Sequence, residues 1–118
     1  MAGGFRIKRV HDDPSPEDGR RVLVDRLWPR GVSKERAHLD EWAKDVAPSN
    51  ELRRWYHADP EHRRDEFAER YDAELESAEW RSALDELRTQ AAKQTVTLLT
   101  ATKDVEHSHV LVLLRHLT

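Results

Sequence analysis

Residues Phe5 to Val10 alternate apolar Phe5 and Ile7 with charged Arg6 and Lys8. That is the two-residue period of a half-buried strand, and it predicts one at or near a sheet edge. His11 to Gly19 gathers Asp12, Asp13, Pro14, Ser15, Pro16 and Gly19, turn formers that cannot sustain a ladder and so predict a loop. Val22-Leu23-Val24 is a short apolar, β-branched run of the kind buried on both faces of a parallel sheet. Charge returns at Asp25-Arg26, where the strand is expected to end. Trp28-Pro29-Arg30-Gly31 reads as a turn, with Pro presetting φ at its second position and Gly at its fourth. Ser33 is an N-cap candidate for a short helical turn from Lys34 to His38, followed by apolar Leu39 and Trp42. Ala47-Pro48-Ser49 breaks the chain again, and Ser49 caps a helix in which Leu52, Trp55 and Tyr56 share a face.

Asp59-Pro60 marks a longer helix, since Asp suits the N-cap and Pro loses no bond in the first helical turn. Phe67, Tyr71 and Leu75 follow at four-residue intervals, and Trp80, Leu84, Leu87 and Ala91 continue at helical spacing. Two helices, or one broken near Ser77, fit this pattern. Thr95 to Thr100 is the clearest strand in the chain and ends in the polar group Thr102-Lys103-Asp104. A final helix is expected from near Asp104, burying Val110, Leu111, Leu114 and Leu117. Strands alternating with helices predict an α/β fold: one small domain over residues 1–118, with a mostly parallel sheet flanked by helices and right-handed crossovers. In such sheets ligands bind beyond the carboxyl ends of the strands. Asp25-Arg26 and Thr102-Lys103-Asp104 are therefore expected on one rim.

Composition sharpens this picture. The 118 residues are 37% hydrophobic and 36% charged, enough for one modest core. There is no cysteine, which removes disulfides, thiolate chemistry and the usual structural zinc ligands. No apolar run approaches the ~20 residues that span a bilayer, and Met-Ala-Gly-Gly-Phe-Arg lacks the apolar centre of a secretory signal. A cytoplasmic location without membrane association is the expectation. The net charge of −3 hides an asymmetry. Arg20, Arg21, Arg26, Arg30, Lys34 and Arg36 face only Asp25 and Glu35 in their segment, a local balance of +4, whereas Asp59 to Arg88 holds eleven acidic against five basic residues. The acidic stretch suits solvated helix faces and repels duplex nucleic acid. Extended nucleic-acid binding is not expected, while a single phosphate would suit the cationic stretch.

The candidate chemistry follows from the rim. Arg20 and Arg21 precede the second strand and Arg26 and Arg30 follow it, so the later pair is the one a rim pocket recruits. A guanidinium offers a planar fork of donors matched to phosphate or carboxylate. Lys103 adds a point charge. Arg26, Arg30, Trp28, Lys103 and His109 are the candidate ligand-binding residues, with Trp28 as a pocket wall or lid. Asp25, Asp104 and His107 are the candidate catalytic groups, two carboxylates for proton transfer and an imidazole that titrates near neutrality. Each has a plainer role open to it. Asp25 could pair with one of the arginines to satisfy a strand end, and Asp104 could be a helix N-cap. His107 and His109 diverge by about 200° if both are helical, so no metal site is assigned. Trp42, Trp55 and Trp80 read as core mass. No glycine-rich phosphate loop, dinucleotide fingerprint or serine elbow is present, and no cofactor is indicated.

Val22-Leu23-Val24-Asp25-Arg26-Leu27-Trp28-Pro29-Arg30-Gly31 resembles the signature of the domain of unknown function 488 family, the YeaO-like proteins. Trp42-Ala43-Lys44-Asp45-Val46-Ala47-Pro48-Ser49, Leu52-Arg53-Arg54-Trp55-Tyr56, Phe67-Ala68-Glu69-Arg70-Tyr71 and Val96 to Asp104 with His107 and His109 also resemble family segments. The resemblance covers nearly the whole chain and implies a small bacterial-type cytosolic α/β protein with no assigned activity. Thr100-Ala101-Thr102 and Ser108 depart from the residues usual at those positions. Two functions follow. The leading one is binding of a small anionic ligand at the Arg/Lys/His rim, with hydrolase or transferase chemistry as an extension. The alternative is a non-catalytic interaction or regulatory module that docks another protein. Neither an oligomeric state nor a cofactor follows from the sequence.

Overall fold

The most apolar strand of the chain lies inside the sheet, and the half-charged one lies at its edge. In the computed structural model, which describes residues 4–103, 105 and 108–118, the strands are β1 (Phe5–Arg9), β2 (Arg20–Leu23), β3 (Glu41–Trp42) and β4 (Val96–Thr100). They form one sheet in the order β1-β4-β2-β3, with every neighbouring pair parallel. Leu98 lies opposite both Ile7 and Val22. The helices are α1 (Lys34–Ala37), α2 (Asn50–Ala58), α3 (Pro60–Leu75), α4 (Ala78–Lys93) and α5 (His109–Leu117).

Side chains alternate across a strand, and here both faces are covered. Val22, Val24, Val96 and Leu98 pack with Tyr71, Leu75, Leu84, Leu87, Val110 and Leu113 beneath the long helices. Val10, Leu23 and Leu99 face the other way, onto Ala37 of α1 with Trp28, Val32, Leu39 and Trp42. Ser33 and Ser49 cap α1 and α2 as expected, accepting from the amides of Arg36 and Leu52. Among the described residues no helix is long and apolar enough to cross a membrane.

The structure departs from these expectations at several places. Arg20 and Arg21 do not precede β2 but begin it, because each finds a partner there. Arg20 pairs with Glu41 at 2.9 Å, and the buried Arg21 guanidinium bonds the Asp18 carboxylate and donates to the Ala37 carbonyl at 3.0 Å. The loop before β2 contains a 3-10 turn, Pro16–Asp18, whose Asp18 is completely buried. Gly19 then turns the chain with φ +61, where a β-carbon would lie 2.2 Å from the Thr95 carbonyl oxygen. Trp42 belongs to β3, a two-residue strand too short for periodicity to reveal. Asp59 sits at the start of α3 but makes no capping bond, its carboxylate taking His62 Nδ1 at 2.9 Å instead. Finally, the last helix begins at His109 rather than near Asp104, with Ser108 as its cap. That late start buries Val112 and Leu113 and leaves Leu111 exposed and Leu114 half-buried.

Candidate ligand-binding site

The carboxyl ends of β2 and β4 open into a cavity of about 440 Å³. Asp25, one residue past the Val24 that extends β2, ties the two strand ends together. One carboxylate oxygen accepts from the Thr100 hydroxyl at 2.7 Å and the other from the Ala101 amide at 2.8 Å. His109, in the first turn of α5, brings Nε2 to 3.3 Å from the same carboxylate and 3.0 Å from the Val24 carbonyl. A carbonyl can only accept, so Nε2 carries a proton. Burial alone would raise the Asp25 pKa, but the hydrogen bond and charge of His109, with the bonds from Ala101 and Thr100, hold it below the usual carboxylate value. The plainer role open to Asp25, pairing with an arginine, is thus filled by a histidine.

Arg26 is held by the segment that leads into α2. Its guanidinium donates to the carbonyls of Pro48 at 3.0 Å and Ala47 at 3.1 Å. The same segment is pinned by the Trp80 indole on Ala47 O at 2.9 Å, by the Tyr71 hydroxyl on Val46 O, and by Ser49, whose amide donates to Glu74 at 2.9 Å. The Trp42 indole donates to the Asp25 carbonyl at 2.7 Å. Trp28 meets Trp42 edge-on with ring centroids 5.4 Å apart and donates its own N–H to Val32 O at 2.7 Å. The rim is therefore fixed from both layers of the fold.

Asp25, Arg26, Trp28 and His109 all line this cavity. Arg30 and Lys103 are exposed and stand outside its lining. Asp104 and His107 lie outside the described residues. The opposite wall comes from residues that the rim argument did not reach: Arg53, Tyr56 and His57 of α2, and Arg64 and Phe67 of α3. On each helix they recur at intervals of three or four, the spacing of one face. The signal in the sequence was the pair of doublets Arg53-Arg54 and Arg63-Arg64. Three arginines and two histidines face one aspartate in the lining. That excess is felt at His57, whose pKa is lowered first by partial burial and then by the charges of Arg53 and His109. Arg53 Nε is buried and has no hydrogen-bond partner among the described residues. No group of three or more metal-ligating side chains occurs among the described residues.

The model of the inactive DUF488-N3 subclade matches residues 4–118. The chain belongs to the DUF488 family. It is 52% identical over 108 residues to uncharacterised proteins of Mycobacterium tuberculosis H37Rv and Mycobacterium bovis, covering 92% of this chain and 88% of each relative. It is 44% identical over 109 residues to the uncharacterised protein YeaO of Escherichia coli K12, covering 92% of both. No solved structure is a significant match. The DUF488 assignment agrees with the resemblance carried by the Val22-to-Gly31 segment and its companions.

Proposed function

We propose that this DUF488 protein binds a small anionic ligand in the cavity at the strand ends, and that it does so without turning the ligand over. The supporting observation is the division of labour in the lining. Its cations come from two helices and the strand rim, while its one carboxylate accepts hydrogen bonds on both oxygens. A general base needs a proton affinity matched to its task. Asp25 has both oxygens occupied by donors and a depressed pKa. It is suited to holding the rim rather than to moving protons. Arginine side chains that converge on a partly apolar cavity are, by contrast, well suited to anion recognition. The family model's description as inactive agrees with binding alone.

Thermal denaturation of the purified protein with inorganic phosphate, phosphate esters and carboxylates tests the reading. A ligand at ~100 times its dissociation constant stabilises by about 2.7 kcal/mol, which raises the Tm by roughly 10 °C for a chain of this size. The expected result is a shift with selected anions that Arg53→Gln removes, with no chemical change of the ligand on prolonged incubation. No shift with any anion at millimolar concentration would overturn the binding claim, and conversion of the ligand would overturn the claim of no turnover.

A further inference from the structure

The cavity is larger and more apolar than a bare anion requires. Its volume of about 440 Å³ falls in the ~300–1,000 Å³ span of organic-ligand sites. Leu27 at its lining is 56% exposed, one of two large exposed hydrophobic residues among the described residues. Trp28 has committed its only polar atom to Val32 and offers the cavity carbon alone. Tyr56 and Phe67 stack with ring centroids 4.3 Å apart and 32° between planes. On both helices an arginine stands three residues from one of these rings, Arg53 before Tyr56 and Arg64 before Phe67. On each helix cation and ring therefore stand about one turn apart on the same face.

Resting on the anion-binding reading above, we infer that the ligand is an aryl phosphate, its ring held against Leu27, Trp28 and Tyr56 and its phosphate by Arg53 and Arg64. The cations favour phosphate over carboxylate. Two guanidinium forks on different helices, with His57 beside them, supply more donors than a two-oxygen monoanion can use, whereas a phosphate ester presents three free oxygens. The flat ring follows from the carbon surface that Leu27, Trp28 and Tyr56 present, against which the hydroxyls of an aliphatic polyol would find no partner.

Isothermal titration of the full chain with phenyl phosphate, glycerol phosphate and benzoate distinguishes the possibilities. Phenyl phosphate is expected to bind about tenfold more tightly than glycerol phosphate, the size of one good aromatic contact, and more tightly than benzoate. Arg64→Gln, at an exposed position that leaves folding intact, is expected to weaken both phosphates alike. Leu27→Ser, equally exposed, is expected to reduce only the advantage of the ring. Equal affinity for phenyl and glycerol phosphate overturns the aryl assignment and leaves anion binding standing. Tighter benzoate binding overturns the phosphate assignment. Failure of all three to bind overturns this inference together with the reading beneath it. A ring advantage untouched by both Leu27→Ser and Trp28→Leu overturns the placement of the ring.

Discussion

Replacing Asp25 with Ala removes the acceptor that joins the ends of β2 and β4, and the structure sets the scale of the loss. Two donors, the Thr100 hydroxyl at 2.7 Å and the Ala101 amide at 2.8 Å, lose a charged partner, and His109 loses a carboxylate at 3.3 Å. Thr100 is buried and Ala101 half-buried, so water replaces the lost bonds only in part. Hydrogen bonds to a charged group contribute about 1.5–3 kcal/mol each, and the loss is expected to total about 3–5 kcal/mol, a large share of the ~5–15 kcal/mol that stabilises a small domain. With a urea slope of about 1–3 kcal/mol/M, the denaturation midpoint should fall by on the order of 2 M. Asp25→Asn keeps one acceptor for Ala101 and turns an amide donor towards Thr100, whose hydroxyl can accept. It should cost less than half as much. The pH dependence has a definite sign. A carboxyl whose folded pKa lies below its unfolded value of about 3.9 contributes stability that is full above that value and lost as pH falls through the folded pKa. The acid limb of the wild-type stability curve should therefore be steeper than that of Asp25→Ala. A midpoint for Asp25→Ala within error of wild type, with parallel acid limbs, would refute the clamp and return Asp25 to the list of groups free for chemistry.

Three further outcomes follow. Asp18→Ala is expected to destabilise by about 3–5 kcal/mol, the cost of leaving a buried charge without its partner, because Asp18 takes bonds from Lys8 and Arg21 and is completely buried; chemical denaturation measures it, and a loss under 1 kcal/mol would count against the buried ion cluster. Gly19→Ala is expected to destabilise more than an ordinary turn substitution, since the new β-carbon meets the Thr95 carbonyl at 2.2 Å and φ is +61; a melting temperature equal to wild type would contradict that close approach. Arg30→Ala should leave anion affinity unchanged, while Arg26→Ala should lower both affinity and Tm, since Arg26 lines the cavity and also bonds Ala47 and Pro48; titration of both variants with phenyl phosphate checks the contrast.

The fold was legible where periodicity and capping agreed. β1 and β4, the helix caps at Ser33 and Ser49 and the break between α3 and α4 were each carried by several residues at once. The elements that escaped were held by partners that hydrophobic periodicity does not reveal. β2 takes in Arg20 and Arg21 because Glu41, Asp18 and the Ala37 carbonyl wait for them, and of these only Asp18 lies nearby in the sequence. β3 is two residues long and exists because β2 offers it an edge. The start of α5 was misplaced because Asp104 and Ser108 both have good capping side chains, and sequence alone does not choose between them.

The site divides along the same line. The strand-end rule leads to Asp25 and Arg26 at the cavity, the turn after β2 and the first turn of α5 add Trp28 and His109, and Lys103, which the same rule selects, stands outside the lining. It could not find Arg53, Tyr56, His57, Arg64 and Phe67, which reach the cavity only through the path of the chain after β3. Leu23 and Trp42 bring β3 alongside β2, and the pinned segment 44–49 then sets α2 across the rim. Any property of the cavity that depends on its cationic wall therefore depends on the Ala47 and Pro48 carbonyls that Arg26 grips and on the Tyr71, Glu74 and Trp80 side chains that anchor the segment. Residues with no place at the ligand should influence its affinity for this reason. Glu74→Gln, which weakens the bonds to the Ser49 amide and hydroxyl, is the variant in which that influence would be seen most cleanly, as weaker phosphate binding with every cavity side chain still in place.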